Sequence, residues 1–455
     1  MGLGRFGGGV GVCRYLAEQG ARVTATDLRD VNDLAPSIRR LADLIDDGRV
    51  TLRLGEHDEH DFTDTDLVVA SPAVPAPWKN PFLDAARARG VPLTTEIALL
   101  IDRLPTRERV IGVTGSAGKS TTASLIGHVI NHATDHRAHI GGNLGGSLLG
   151  SLRDIEPHHW VVLELSSFQL HWLGAVAGDL GAGARLGGVS VVTNLAANHL
   201  DWHGSIDHYR ISKQQILRLQ PPSGRAVLDE SVAGWLGADG ARPKREGDRV
   251  VTAADAAALP RLRVPGSHNR SNAALAVAAL HAAGIAPPAE RLAEALRSFR
   301  GLPHRLELLG VFRLPDGRGE VRAFNDSKST TPEATALAVG AFDQPGEVGA
   351  GRVRLIAGGY DKGAPLDPLL DAGRRCARVY AVGSTGPAIA AALDDDVARA
   401  GILERAVRAA SADATDGDVL LLSPGCASWD QFPDYEVRGR TFRRAISEEL
   451  GEPIG

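Results

Sequence analysis

The chain is poor in cysteine, methionine and aromatic residues, with three Cys, one Met and only 5% Phe, Trp and Tyr. Cys13, Cys376 and Cys426 are widely spaced and odd in number, which gives neither a disulfide framework nor the paired spacing of a zinc site. A reducing, cytoplasmic setting is the expectation. No apolar run reaches the roughly 20 residues that a membrane span needs. The most apolar stretch, from Ala273 to Leu280, is broken by His281 and ends at Gly284, as a buried helix would. No charged region leads into an apolar core near Met1, so export is not expected. Charge of one sign is also missing. The formal net charge is -5 with no long basic or acidic run, which argues against nucleic acid or a membrane surface as a partner.

What is present fits an ordinary globular protein: 43% hydrophobic and 23% charged residues. At 455 residues the chain exceeds one comfortable core. Short apolar runs alternate with helical patterns, at Arg22 to Asp27, Leu67 to Ala70, Arg109 to Thr114, Trp160 to Leu165, Gly188 to Asn194, Val353 to Ala357, Arg378 to Val382 and Val419 to Ser423. This is the signature of βαβ units around mostly parallel sheets. Turn-rich or charged stretches at Asp102 to Arg107 and Phe299 to His304 divide the chain into three α/β modules, 1–104, 105–300 and 301–455. The glycine-rich stretch Gly174 to Gly188 reads as a surface insertion.

The segment Arg109 to Ser124, RVIGVTGSAGKSTTAS, is a strand, a glycine-rich turn and the start of a helix. Gly115 and Gly118 let backbone N–H groups approach an anion, Lys119 supplies a point charge, and Ser120 can reach Mg²⁺. Thr114, Ser116 and Thr121 complete the phosphate-loop candidates. Val113 stands where the strict Walker spacing needs glycine.

A second strand ends in ELSSFQL, residues 164–170, where Glu164 is a natural hard-cation ligand beside a phosphate loop. Further on come GGNLGG around Asn143, NLAANHLDWHGSIDHYRISK from Asn194 to Lys213, GSHNRSNAALA from Gly266 to Ala276, and GLPHRLE from Gly301 to Glu307. NDSKSTTPEAT starts at Asn325 and LLSPGCASWDQF at Leu421. At the other end, GLGRFG at residues 2–7 is a GxGxxG with Asp27 twenty residues beyond Gly7, although almost no chain precedes it to form the strand such a turn needs.

In their order and wording these motifs resemble the Mur ligase and folylpolyglutamate synthetase superfamily, and among Mur ligases the D-glutamate-adding members. Ser116 and Ala117 depart from the more usual Thr and Asn of its loop. The resemblance covers nearly the whole chain. It implies an N-terminal Rossmann-like UDP-binding domain, a central P-loop-type mononucleotide-binding sheet and a C-terminal Rossmann-like domain. The implied reaction adds D-glutamate to UDP-N-acetylmuramoyl-L-alanine, using ATP and Mg²⁺, in a monomeric enzyme. Lys119, Glu164, His199 and Lys213 would be catalytic. Ser120, Glu164, His199 and Lys213, the last as a carbamate, would hold metal. Asn269, Asn272, Arg305 and Asp326 would join the loop in binding ATP, with His268 beside Asn269 and Asn272 at the adenine or ribose, and His304 with Arg305 reaching nucleotide or metal. Gly4, Arg5, Phe6, Asp27, Ser71, Asn143, Ser166 and Gln169 would meet the UDP substrate. Lys328, Thr330, Lys362, Ser428, Trp429 and Tyr435 would meet the amino acid. On the residues alone, a related ligase using another amino acid or folate, an NAD-binding oxidoreductase built on GLGRFG and an inactive scaffold remain open.

Overall fold

The structure is a computed structural model that describes every residue except 6, 177–185, 394–396 and 455. Most of the glycine-rich insertion therefore lies outside the described residues. The chain forms two compact units, Met1–Leu259 with Ser271–Ala295, and Pro260–Arg270 with Leu296–Gly455. No helix among the described residues is long and apolar enough to cross a membrane.

In the first unit, strands β1 (Val23–Asp27) and β2 (Val50–Leu54) pair in parallel, as do β3 (Val68–Val69) and β4 (Leu93–Thr94). Residues 1–3 lie where sequence reading finds no room for a first strand. The Met1 amine donates to the Val69 carbonyl, Ser71 N–H to Met1 O and Gly2 N–H to Thr26 O, so this short run links the edges of both pairs. The helix Gly8–Glu18 follows, capped by Gly7 in the left-handed region.

The central sheet is wholly parallel and runs β10-β9-β8-β5-β7-β6, from β5 (Val110–Thr114), β6 (Ala138–Gly142), β7 (Trp160–Glu164), β8 (Val189–Val192), β9 (Arg225–Asp229) and β10 (Arg249–Val251). Every residue of β5, β7 and β8 is buried, as strands covered on both faces must be. The chain leaves β5 for β6, returns to β7 and then crosses to β8, so β5 lies between β7 and β8 at the topological switch point. Open α/β sheets place their ligands just beyond the carboxyl ends of such strands.

The second unit has its own six-stranded sheet, β11-β12-β16-β13-β14-β15. Its strands are β11 (Glu307–Arg313), β12 (Glu320–Asn325), β13 (Val353–Gly358), β14 (Arg378–Val382), β15 (Val397–Gly401) and β16 (Val419–Leu422). β11 pairs antiparallel with β12 and the rest are parallel. Phe312, Phe442, Leu420, Leu422, Ile356 and Val407 build its core. The last strand in sequence, β16, inserts between β12 and β13, so the loops after all three leave the same edge.

Candidate active site

The phosphate loop leaves β5 at Thr114, whose hydroxyl donates to Leu165 O at 2.7 Å. Gly115 sits at φ 148°, and a Cβ there would lie 1.9 Å from Thr193 Oγ1, so no other residue fits this crossing. Gly118, at φ 82°, caps the helix Lys119–Ala133 in the left-handed region. A Cβ at Gly118 would meet Asn272 Oδ1 at 2.3 Å, and Thr122 Oγ1 donates to that same oxygen. Asn272 therefore lies against the loop. Ser120 is buried and Thr121 half-buried in the first turn of the helix, and Lys119 Nζ donates to Ser116 O at 3.0 Å.

Beside the loop, β7 ends at Glu164, which is 1% exposed. Asn143 Nδ2 donates to Glu164 Oε1 at 2.9 Å. The other oxygen, Oε2, is buried with no hydrogen-bond partner among the described residues. A buried carboxylate oxygen left unpaired is costly, and a hard cation is the partner that suits it. Lys213, on the helix Ile206–Arg218, is equally buried and donates to Gly115 O at 2.7 Å. Burial, and then the nearby charge of Lys119, lower its pKa to about 6, against an opposing pull from Glu164. This shift favours the neutral amine at pH 7. His199 is exposed at φ 53°, a conformation a non-glycine residue rarely adopts. Its ring lies 4.9 Å from that of Phe168, and partial desolvation of the ring lowers its pKa. Ser166 and Gln169 form a capping box at the start of the helix Ser167–Ala175.

At the N-terminal glycine turn, Gly4 N–H donates to Asp27 Oδ2 at 2.9 Å and Arg29 N–H to Oδ1 at 3.0 Å. Asp27 thus braces the turn. Arg5 pairs with Asp33. Ser71 packs against Gly2, where a Cβ would come within 2.7 Å of the serine Cβ. Phe6 lies outside the described residues.

In the second unit, the loops after β12, β16 and β13 carry the remaining candidates. Asp326 is buried, accepts from Leu306 N–H at 3.0 Å and Ser423 Oγ at 2.8 Å, and has its pKa raised to about 6, chiefly by burial. Asn325 Nδ2 donates to His304 Nδ1 at 2.9 Å. His304 stands at φ 63°, followed by Arg305. Asn269 Nδ2 donates to Pro265 O at 2.7 Å, and burial lowers the pKa of the neighbouring His268. Lys328 Nζ lies 5.2 Å from the centre of the Tyr435 ring, and Lys362 Nζ 5.1 Å from that of Trp429. Trp429 is 63% exposed and Ser428 is buried. Thr330 is half-buried.

Sequence reading passes over two residues at these loops. Asn194, the first residue of NLAANHLDWH, accepts from the amides of Ser116 and Ala117. Arg438, in the helix Tyr435–Leu450, is buried and spends its guanidinium on Ser327 Oγ and O and on the carbonyls of Cys426 and Ala427. Burial lowers its pKa to about 10. These hydrogen-bond partners are a hydroxyl and backbone carbonyls, so Arg438 ties the β12 and β16 loops together through neutral groups.

Comparison with known proteins adds to this geometry. The Mur ligase middle domain pattern matches residues 113–234, and that of the Mur ligase MurD-like N-terminal domain matches 1–95. The chain is 37% identical to the UDP-N-acetylmuramoylalanine--D-glutamate ligase of Roseiflexus sp. (strain RS-1), over 98% of this chain and 97% of that one. It is likewise 37% identical to the enzyme of the same name from Anaeromyxobacter dehalogenans, over 97% and 96%. Among solved structures, the UDP-N-acetylmuramate-alanine ligase MurC of Thermotoga maritima aligns over 98% of both chains with a TM-score of 0.53 at 19% identity, a likeness of fold.

Proposed function

The chain belongs to the Mur ligase family, and we propose that it joins D-glutamate to UDP-N-acetylmuramoyl-L-alanine with ATP as the second substrate, giving ADP and phosphate. One observation carries this reading: identity of 32% to 37%, over 97% or more of the chain, with relatives of that name. The reaction belongs to peptidoglycan precursor synthesis. We assign UDP-substrate binding to residues 1–104, ATP to 105–300 and the amino acid to 301–455.

The chemistry needs two bond exchanges. The L-alanyl carboxylate attacks the γ-phosphorus, a C(O)O–P bond forms, and the Pγ–O bond to ADP breaks. The D-glutamate amine then attacks the acyl carbon and loses a proton, and inorganic phosphate leaves as the amide forms. Lys119 and the Gly118–Thr121 helix start place positive charge at the transferring phosphoryl group. Glu164, Ser120, His199 and the Lys213 carbamate would hold Mg²⁺, which when bound neutralises charge on the phosphate oxygens. Their oxygen-rich donor set suits that ion, and so does the unpartnered Glu164 Oε2. Asn143 fixes the orientation of Glu164. A carbamate on Lys213 needs a neutral amine to add to carbon dioxide, and its buried setting supplies one.

Arg305, Asp326, Asn269 and Asn272 are assigned to the nucleotide. Gly4, Arg5, Asp27, Ser71, Ser166 and Gln169 are assigned to the UDP substrate, with Asn143. For D-glutamate, Lys362, Thr330 and Ser428 would take the side-chain carboxylate, with Lys328, Trp429 and Tyr435 around the amino acid. One lysine and two hydroxyls suit a carboxylate and disfavour the ammonium of a diamino acid.

Phosphate release, measured with a panel of acceptors and amino acids, tests the reading. We expect release only when ATP, Mg²⁺, UDP-N-acetylmuramoyl-L-alanine and D-glutamate are all present. A preference for L-glutamate or a diamino acid would overturn the substrate assignment and leave the family membership standing.

A further inference from the structure

The Ser116 and Ala117 amides, which a phosphate loop would be expected to offer to its anion, already have a protein partner. Asn194 Oδ1 accepts from Ser116 N–H at 3.1 Å and from Ala117 N–H at 2.9 Å, while its Nδ2 donates to Ala117 O at 3.1 Å. Its backbone carbonyl also accepts from Ser116 N–H at 3.1 Å. Thr193 Oγ1 donates to that same Ala117 carbonyl at 2.5 Å. Ser116 Oγ donates to Ala196 O and accepts from Ala196 N–H, each at 2.8 Å, and lies 2.9 Å from Tyr209 OH. A single carboxamide thus closes a ring of bonds around the backbone of two loop residues; the Ser116 hydroxyl adds a second tie to Ala196, while the Ala117 side chain can add none.

We infer that Asn194 is a positioning residue for ATP: its carboxamide presets the phosphate loop and ties it to the segment that carries His199. The inference rests on the nucleotide-binding reading of this loop and deepens it. It moves the anion cradle to the helix start, Gly118 to Thr121, because the preceding two amides face Asn194. Since β8 ends at Val192 and His199 follows five residues after Asn194, one short segment spans from the loop to the histidine. Fixing the loop before ATP arrives removes an ordering cost from binding.

Asn194→Ala tests this in the full chain. Titration calorimetry with ATP and Mg²⁺ should show binding weakened by roughly tenfold or more, with KM for ATP rising by a similar factor and kcat falling less. Thermal unfolding should stay within a few degrees of wild type, since the side chain is only half-buried. Asn194→Asp keeps the acceptor but loses the donor to Ala117 O and adds a negative charge beside the phosphates, so it should bind ATP no better than the alanine variant. In hydrogen exchange, ATP should protect residues 193–199 in wild type and protect them less in Asn194→Ala. Unchanged ATP affinity and unchanged protection in a folded variant would overturn the inference while the wild type still bound ATP. A wild type that binds no ATP would overturn the nucleotide reading itself, and this inference with it.

Discussion

The two sheets carry their candidate residues in different ways. At the carboxyl ends of β5, β7 and β8 the polar side chains are already committed: Asn143 to Glu164, Lys213 to Gly115 O, and Asn194 to the loop amides. Beyond β12, β16 and β13 the framework is just as fixed, through Asn325, Asp326 and Arg438, but Lys362 and Trp429 remain exposed on top of it. Phosphoryl transfer is common to ligations that pass through an acyl phosphate, whatever the amino acid, and gains from charges held in place before the substrate arrives. Choice of amino acid is what distinguishes one ligase from another. Exposed side chains on loops can change without rebuilding the sheet beneath them. On this view, damage to the first set should end turnover, whereas damage to the second should shift substrate preference.

The sharpest way to break the comparison is Lys119→Ala. The side chain is half-buried at the first position of its helix, outside the core, so the fold should survive, with thermal unfolding within a few degrees of wild type. Turnover should fall by about 10³-fold or more, because a charge at the transferring phosphoryl group is gone. A folded variant with near wild-type kcat would remove the phosphate assignment.

Lys213→Ala should be nearly as severe for a different reason. On the proposed assignment the lost group is a carbamate, an anion, so formate or acetate should restore part of the activity, and neutral amides should restore none. Mass analysis of active wild-type protein, under conditions that preserve carbamates, should show the added carbon dioxide. A plain lysine in fully active protein would contradict the assignment.

Lys362→Ala probes the other side of the comparison and should act on one substrate. KM for D-glutamate should rise about tenfold or more, with KM for ATP within about twofold of wild type. Equal increases in both would mean that Lys362 supports the β13 loop as a whole.

The sequence makes the strands of both sheets legible wherever apolar runs are unbroken, including β5, β7, β13, β14 and β16. It hides β6, whose AHIGG carries a histidine and two glycines, and β15, an edge strand reading VARAG. The β11–β12 pair is antiparallel and breaks the βαβ rhythm that guides the reading. The phosphate loop is legible because its chemistry is local, a turn of eight residues with its own helix. Asn194 and Arg438 are not, because their meaning comes from partners far along the chain. Asn194 meets an amide 77 residues away, and Arg438 a serine 111 residues away. In the sequence each stands inside a motif without any mark of the loop it will hold.

The smallest expected effect lies in the buried framework of the second unit. Burial raises the Asp326 pKa from the ordinary 3.8 to about 6. Between those values the folded protein binds the proton and the unfolded chain does not. Stability from this site is therefore greatest below pH 4 and is lost as pH rises toward 6, at up to about 1.4 kcal/mol per pH unit. Asp326→Asn cannot titrate, and its amide keeps an acceptor for either Leu306 N–H or the Ser423 hydroxyl. Urea unfolding of both proteins between pH 4 and 7, followed by a probe in the β12–β16 region, isolates the contribution, since every other group titrates alike in the two. Wild type should lose stability relative to Asp326→Asn across that window, with the difference level above it. A difference that stays flat throughout would mean that the carboxylate is ionised at little cost, its charge met by the Leu306 amide and the Ser423 hydroxyl. In that case the second unit would hold a preset anion beneath its exposed residues, and in this respect its site would resemble the first unit's more closely than the comparison allows.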